Sequence, residues 1–356
     1  MEHASENPFE LHPGAVALFG SGEAAPSGRQ VHEMLFARLA GPPRVAILET
    51  PAGFQPNSAW VASRLAHFIT HNLKNCHPQV TVVPARRRDG PHSTDDPQLA
   101  APLLSSNYLF AGPGSPTYTV HHLAGTWTWH VLVARQRRGA VVALASAAAI
   151  AAGSYALPVY EIYKAGADPY WLPGLDLLRP YGLELAIVTH WDNQEGGAHL
   201  DTRRAFMGLE RMARLEALLP PSVTILGIDE HTAAVLDLAA GTAQVRGQGG
   251  VTVRHEGNEQ VFGSGSAFPL TVLGNVRLPA LDEGLPPAVV EAALAAEREE
   301  SIPPEVTALI AEREAARRAR DWPRADRLRQ QLARLGYAVE ETPDGPRCRP
   351  IPTHPL

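Results

Sequence analysis

The chain has 356 residues, of which 45% are hydrophobic and 19% charged, with a formal net charge of −6. This length fits about two domains, or one large domain with an appendage, and the apolar content excludes disorder of the whole. No apolar run reaches the ~18 residues of a membrane span, Met1–Glu6 carries acids where a signal peptide carries bases, and two cysteines, Cys76 and Cys348, cannot form a four-thiolate cluster.

A cytoplasmic protein without a membrane partner is expected. The charge is uneven. Residues 301–356 hold 10 Arg against 8 acids, a net +2, while the preceding 300 hold 21 basic and 29 acidic residues, a net −8. The body therefore has no electrostatic case for nucleic acid, and the tail a faint one.

Short apolar runs punctuate the first 230 residues: Ala15–Phe19, Arg44–Leu48, Val80–Val83, Tyr108–Ala111, Ala140–Ala145, Leu183–Val188 and Val223–Ile228. Each is rich in Val, Ile, Leu or Ala and bounded by Gly or Pro, as buried parallel strands are. Between them, segments such as Gln30–Leu39 and Ser58–Leu73 have helical apolar spacing. The alternation predicts an α/β fold: a three-layer, mostly parallel sheet with helices on both faces and its site at the carboxyl ends of the strands. After Ile228, Val235–Leu238, Ala243–Arg246, Val251–Val253 and Gln260–Phe262 predict an antiparallel meander extending it. A Pro-flanked linker with one helix follows, then a small C-terminal helical hairpin at about Glu305–Arg320 and Trp322–Leu335, with Gly336 at its stop. A turn-and-strand piece around Pro343-Asp344-Gly345 closes the chain. The expected domains are residues 1–277, a linker at 278–304, and a tail at 305–356.

Ser146 stands where the run Ala140–Ala145 meets a small-residue helix, Ala147–Gly153. A serine at a sharp strand-to-helix turn is exposed for attack, and the helix N-terminus offers N–H groups to an oxyanion; a serine N-cap on a packed helix is the alternative. His190, Asp192 and His199 could be read as metal ligands, but no helical ligand spacing supports them, and no metal is expected. His121-His122 read as surface residues. Gly20-x-Gly22-x-x-Ala25, with Glu49 as the ribose acid, matches a dinucleotide fingerprint, but Pro26-Ser27-Gly28 interrupts the helix it requires, so no cofactor is expected.

Taken together, Gly20-Ser21-Gly22-Glu23, Gly112-Pro113-Gly114-Ser115, Ala145-Ser146-Ala147-Ala148-Ala149, Val188-Thr189-His190-Trp191, His199-Leu200-Asp201-Thr202-Arg203 and Leu226–Glu230 resemble the dipeptidase E and cyanophycinase group of serine peptidases, which has a class I glutamine amidotransferase-like fold. The resemblance covers about residues 15–234. It implies Ser146 as nucleophile, His190 as general base and Glu161 as the acid about 15 residues after the serine. It also implies oxyanion donors at the N–H groups of Ala147 and Gly114, and substrate-binding residues at Gly22, Glu23, His199, Arg203 and Glu230. Glu230 reads either as an acceptor for a substrate amine or as a buried, hydrogen-bonded carboxylate. The group's elbow reads Gly-x-Ser-Ala-Gly, whereas Leu144 and Ala148 occupy the glycine positions here. Leu144 could tilt the serine or fill the pocket, and with Ala148 it motivates the second reading, a non-catalytic binding protein on the same scaffold. A glutaminase is disfavoured, since that chemistry uses a cysteine at the elbow. The first reading is a serine hydrolase of a small peptide or amide, with aspartyl substrates implied by the resemblance. The oligomeric state stays open.

Ala308–Arg317, Asp321–Arg329 and Gly336–Arg347 resemble the C-terminus of cysteinyl-tRNA synthetases. That resemblance implies a tRNA contact through the arginine face, or a helical hairpin reused for packing. No synthetase catalytic domain accompanies it, which excludes aminoacylation.

Overall fold

The computed structural model describes residues 11–39, 41–300, 304–342 and 345–350; Met1–Glu6, Pro303 and the Pro343-Asp344 turn lie outside the described residues. The chain divides into two compact units, Met1–Val290 and Glu291–Leu356, a division that falls inside the expected linker.

The first unit runs β1 (Val16–Phe19), α1 (Pro26–Phe36), β2 (Arg44–Leu48), α2 (Ser58–Asn72), β3 (Gln79–Val83), α3 (Pro97–Leu104), β4 (Tyr108–Ala111), α4 (Pro116–Leu123), α5 (Trp127–Arg137) and β5 (Val141–Ala145). There follow α6 (Ala147–Ala151), β6 (Tyr155–Ala156), α7 (Val159–Tyr163), β7 (Leu172–Pro173), β8 (Leu185–Val188), α8 (Gly208–Ala217) and β9 (Thr224–Ile228). It closes with β10 (Thr232–Asp237), β11 (Thr242–Gly247), β12 (Gly250–His255), β13 (Asn258–Gly263) and β14 (Ala267–Pro269), then enters α9 (Pro287–Glu300).

Among the described residues these strands form an eight-stranded sheet ordered β14-β11-β10-β1-β5-β4-β2-β3 and a six-stranded sheet ordered β13-β12-β9-β8-β6-β7. The parallel core β1-β5-β4-β2-β3 is built from strands buried on both faces, except β3, whose pattern alternates because it is the edge. Phe19, Val31, Leu35, Ile47, Ile69 and Phe110 pack one face of this sheet against α1 and α2. Each such side chain contributes roughly 1.5–3 kcal/mol on leaving water. Side-chain hydroxyls and a carboxylate start three of the helices: Asp96 caps α3, Ser115 caps α4 and Thr126 caps α5.

Two expectations need correction. The parallel strands do not share one sheet, since β8 and β9 pair with each other in the second sheet. Nor is the antiparallel stretch one meander: the β10–β11 hairpin extends the first sheet and the β12–β13 hairpin the second. The chain switches sheets at residues 247–250, where Asp229 Oδ2 accepts from the Gly250 N–H at 2.7 Å and Thr232 Oγ1 from the Gly249 N–H at 2.8 Å. The first bond ties the corner to the end of β9 and the second to the start of β10, and beyond it β12 pairs with β9 and not with β11.

The second unit holds α10 (Pro304–Arg318), α11 (Trp322–Arg334), β15 (Tyr337–Thr342) and β16 (Gly345–Pro350). Leu309, Ala316, Ala325 and Leu328 form the seam of the helical hairpin, and β15 pairs antiparallel with β16. Asp321 Oδ1 caps α11 by accepting from the Arg324 N–H at 3.1 Å, and Gly336 follows its end at φ 84°.

Candidate active site

Strand β5 lies between β1 and β4, so residues leaving its carboxyl end are flanked by the β1 loop, Gly20–Glu23, and the β4 loop, Gly112–Ser115. Ser146 occupies that end at φ 50°, ψ −110°, a sparsely populated conformation for a residue with a Cβ. Such strain costs about 1–3 kcal/mol and persists only where the surroundings impose it. Here the Ser146 N–H donates to the Phe19 carbonyl at 3.0 Å, and its own carbonyl accepts from Ile150 N–H at 3.0 Å, fixing the turn from both sides.

The Ser146 hydroxyl meets His190 Nε2 at 2.9 Å, and His190 Nδ1 meets Glu230 Oε1 at 2.8 Å. A carboxylate can only accept, so Nδ1 carries the proton and Nε2 is left to accept from Ser146. Glu230 Oε1 also accepts from Asn193 Nδ2 at 3.0 Å, and the Glu230 backbone N–H donates to Asp192 Oδ1 at 2.7 Å. The hydrogen bond from His190 holds the Glu230 carboxyl below its ordinary range, against an opposing effect of burial. His190 sits at φ 49°. Its carbonyl accepts from Ala205 N–H at 3.2 Å, and the Phe206 ring packs 6.2 Å from its imidazole. Arg204 stacks on the Trp191 ring at 3.6 Å and donates to the Trp191 carbonyl at 3.1 Å. Arg204, Ala205 and Phe206 all have positive φ, so this turn is a strained clasp behind the histidine.

The acid that faces His190 is thus Glu230 in place of the expected Glu161. Val188 and Gly227 are register partners in the parallel pair β8–β9, and His190 and Glu230 stand two and three residues beyond them, at neighbouring strand ends. Glu161 instead lies in the first turn of α7, where its Oε2 is buried without a hydrogen-bond partner. Glu230 is engaged with His190 and Asn193, with its side chain part exposed.

Of the other expected residues, Gly22 and Glu23 adjoin this group. Gly22 has φ 72°, and a Cβ there would lie 2.4 Å from His231 Nδ1. Burial pushes the half-buried Glu23 carboxyl up, opposed by its own backbone N–H and by the proximity of His190 and His231. His199 is exposed on the 193–203 loop. Arg203 is exposed and forked onto Asp201 at 2.8 and 3.0 Å. Among the described residues no hydrogen bond joins either of them to Ser146, His190 or Glu230. Gly114 is packed so that a Cβ would meet the Pro51 carbonyl at 1.7 Å, and the next N–H, Ser115, donates to that same oxygen at 3.0 Å. Ala147 opens α6, where the first N–H groups have no carbonyl one turn back. Leu144 does not occupy the site: it is 1% exposed within β5, on the face opposite Ala143 and Ala145, and Ser146 reaches His190 with Leu144 and Ala148 in place.

Among the described residues, no group of three His, Cys, Asp or Glu is arranged to hold a metal ion; Asp192 is occupied by the Glu230 N–H. Likewise no helix among them is long and apolar enough to cross a membrane. Asn193, Asp192 and Phe206 are contributors that sequence reasoning missed as such. The first two adjoin His190, and strand-end adjacency is a signal that reaches them.

Comparison with known proteins finds two kinds of likeness. The body has the fold of a peptidase: the crystal structure of a peptidase from an acI-B1 Actinobacterium superposes with a TM-score of 0.58 at 19% identity, covering 72% of this chain and 97% of that one. Residues 299–349 match the cysteinyl-tRNA ligase anticodon binding domain family. The chain is 57% identical over 44 residues to the cysteine–tRNA ligase of Rubrobacter xylanophilus, covering 12% of this chain and 9% of that protein. It is 50% identical over 48 residues to the cysteine–tRNA ligase of Chlamydia abortus, covering 14% and 10%. The chain spans about a tenth of the length of these curated relatives.

Proposed function

We propose that the chain is a serine hydrolase of a small peptide or amide. The observation that carries this reading is the linear relay Ser146 Oγ–His190 Nε2, His190 Nδ1–Glu230 Oε1, with spacings of 2.9 and 2.8 Å on a strained serine elbow. In it, Ser146 Oγ attacks the scissile carbonyl carbon as its proton passes to His190 Nε2. The Glu230 carboxylate fixes the imidazole tautomer and stabilises the imidazolium. The N–H groups of Ala147 and Gly114 stabilise the oxyanion. His190 then returns the proton to the leaving amine, and water, deprotonated by the same imidazole, hydrolyses the acyl-enzyme. Glu161 has no part in the relay. Aspartyl peptides are the first substrates to assay, on the strength of the family resemblance.

The test is labelling by a fluorophosphonate probe. The wild type should be modified at Ser146, and the Ser146→Ala protein should not. A wild type that stays unlabelled, and that matches Ser146→Ala in every hydrolysis assay, would refute the reading in favour of a binding protein.

A second activity, RNA contact by the tail, is supported by the match of residues 299–349 to an anticodon binding domain. Arg317, Arg318, Arg324 and Arg327 are the candidate phosphate ligands. Arg324 pairs with Glu312 at 3.2 Å across two exposed side chains, an interaction weak enough for a phosphate to replace. Retention on tRNA that falls steeply with salt supports the contact; no retention at low salt removes it.

A further inference from the structure

A cleft of about 640 Å³ opens between helix α2 and the β1 and β4 loops that flank Ser146, a size suited to a small ligand. One wall carries Glu23 and Pro113, from the two loops that flank Ser146. The other is helix α2, which presents Trp60, Arg64 and His67. Their spacing of four and three residues puts them on one helical face. Trp60 is 56% exposed, a large aromatic left in water on the α2 wall of this cleft. The Arg64 guanidinium lies over its ring, 5.0 Å from the centroid, and among the described residues no carboxylate pairs with it. A guanidinium placed over an aromatic ring by a cation–π contact can still direct N–H donors at a planar anion.

Charge is therefore graded across the cleft, with an acid at the Glu23 wall and a cation at the α2 wall. We propose that this cleft is the subsite for the leaving half of the substrate, with Arg64 on its Trp60 platform binding the free terminal carboxylate of a short peptide. This rests on the hydrolase reading above. A carboxylate fits better than a phosphate, because a single guanidinium matches a single negative charge and a two-oxygen fork. Arg64 stands across the cleft from the loops that flank Ser146, so the leaving residue is oriented with its anion away from the serine. Arg64 acts as a specificity residue: it selects peptides cleaved one residue from their end over amidated or internal segments.

The experiment uses the full chain as the Ser146→Ala protein and a pooled dipeptide library made with free and with amidated C-termini, with retained peptides read by mass spectrometry. The free acids should be retained at least about 10-fold better than their amides, the effect of one charge-assisted contact. Arg64→Gln should abolish that preference, and Arg64→Lys should restore part of it. Equal retention of acids and amides, retention of neither, or a preference that survives Arg64→Gln would overturn the proposal. Arg64 is exposed, so thermal melting of the variants checks that the fold is kept. Fluorophosphonate labelling of the wild type separates the two claims. A protein that prefers free acids but is never labelled retains the anion subsite and loses the hydrolase reading.

Discussion

His32 makes acid stability a test of the packing beneath the site loop. Its ring is 1% exposed, stacked on Phe19 at 5.1 Å and edged by Phe68 and Phe110. Nε2 donates to the Glu23 carbonyl at 3.0 Å, which leaves Nδ1 to accept from the Tyr108 hydroxyl at 2.6 Å. Burial lowers the His32 pKa from 6.5 to about 4, because the charged ring would lose its water; the bond to the Glu23 carbonyl opposes this. The unfolded chain therefore binds a proton between these two values that the folded chain does not. The stabilisation is full above 6.5 and is lost as pH falls toward 4. Between pH 7 and pH 5 this one group should remove about 2 kcal/mol of unfolding free energy. Urea unfolding of the wild type and His32→Phe at both pH values isolates the effect, since other titrations cancel in the difference. At pH 7 the variant should be less stable, by about 1–3 kcal/mol for each partner left unpaired. By pH 5 the gap should shrink by about 2 kcal/mol. A gap that stays constant across this range would mean the ring is not held neutral, and the reasoning would be wrong.

Glu230→Gln should lower kcat/KM or labelling rate by about 10²–10⁴-fold, as expected when the base loses its tautomer-fixing acceptor, while Glu161→Gln stays within a few-fold of wild type. The reverse order would reinstate Glu161. Leu144→Ala should cost about 2–5 kcal/mol by chemical denaturation yet leave labelling per folded molecule near wild type, because Leu144 packs the sheet and not the pocket. Gly114→Ala should weaken labelling and lower the melting temperature together, since its Cβ would sit 1.7 Å from the Pro51 carbonyl oxygen. An unchanged Gly114→Ala protein would show that the loop yields.

The alternation of β-rich runs and helical spacing made the α/β architecture legible, because strands buried on both faces read as continuous apolar runs ending at Gly or Pro. The serine elbow was legible for the same reason: Ser146 is the first polar residue after Ala140–Ala145. The partner of His190 was not. Counting about 15 residues from the serine leads to Glu161, whereas the geometry depends on which strand ends are neighbours. That follows from pairing of β8 with β9, information held in non-local hydrogen bonds and not in spacing. The split into two sheets was hidden likewise, since it turns on Asp229 gripping the Gly250 N–H across 21 residues.

That split has a consequence for how the protein would lose activity. Ser146 leaves a strand of one sheet, while His190 and Glu230 leave strands of the other, so the 2.9 Å contact between hydroxyl and imidazole is a bond across a seam. Helix α6, which follows the serine, packs against β8, whose end lies two residues before the histidine, and so bridges that seam. A slip of an ångström between the sheets would leave every strand and core residue in place and still part the nucleophile from its base. Heating, pressure or a mild denaturant should then silence Ser146 while circular dichroism is still native. The labelling rate becomes a vernier on the fit between two halves that would otherwise look intact.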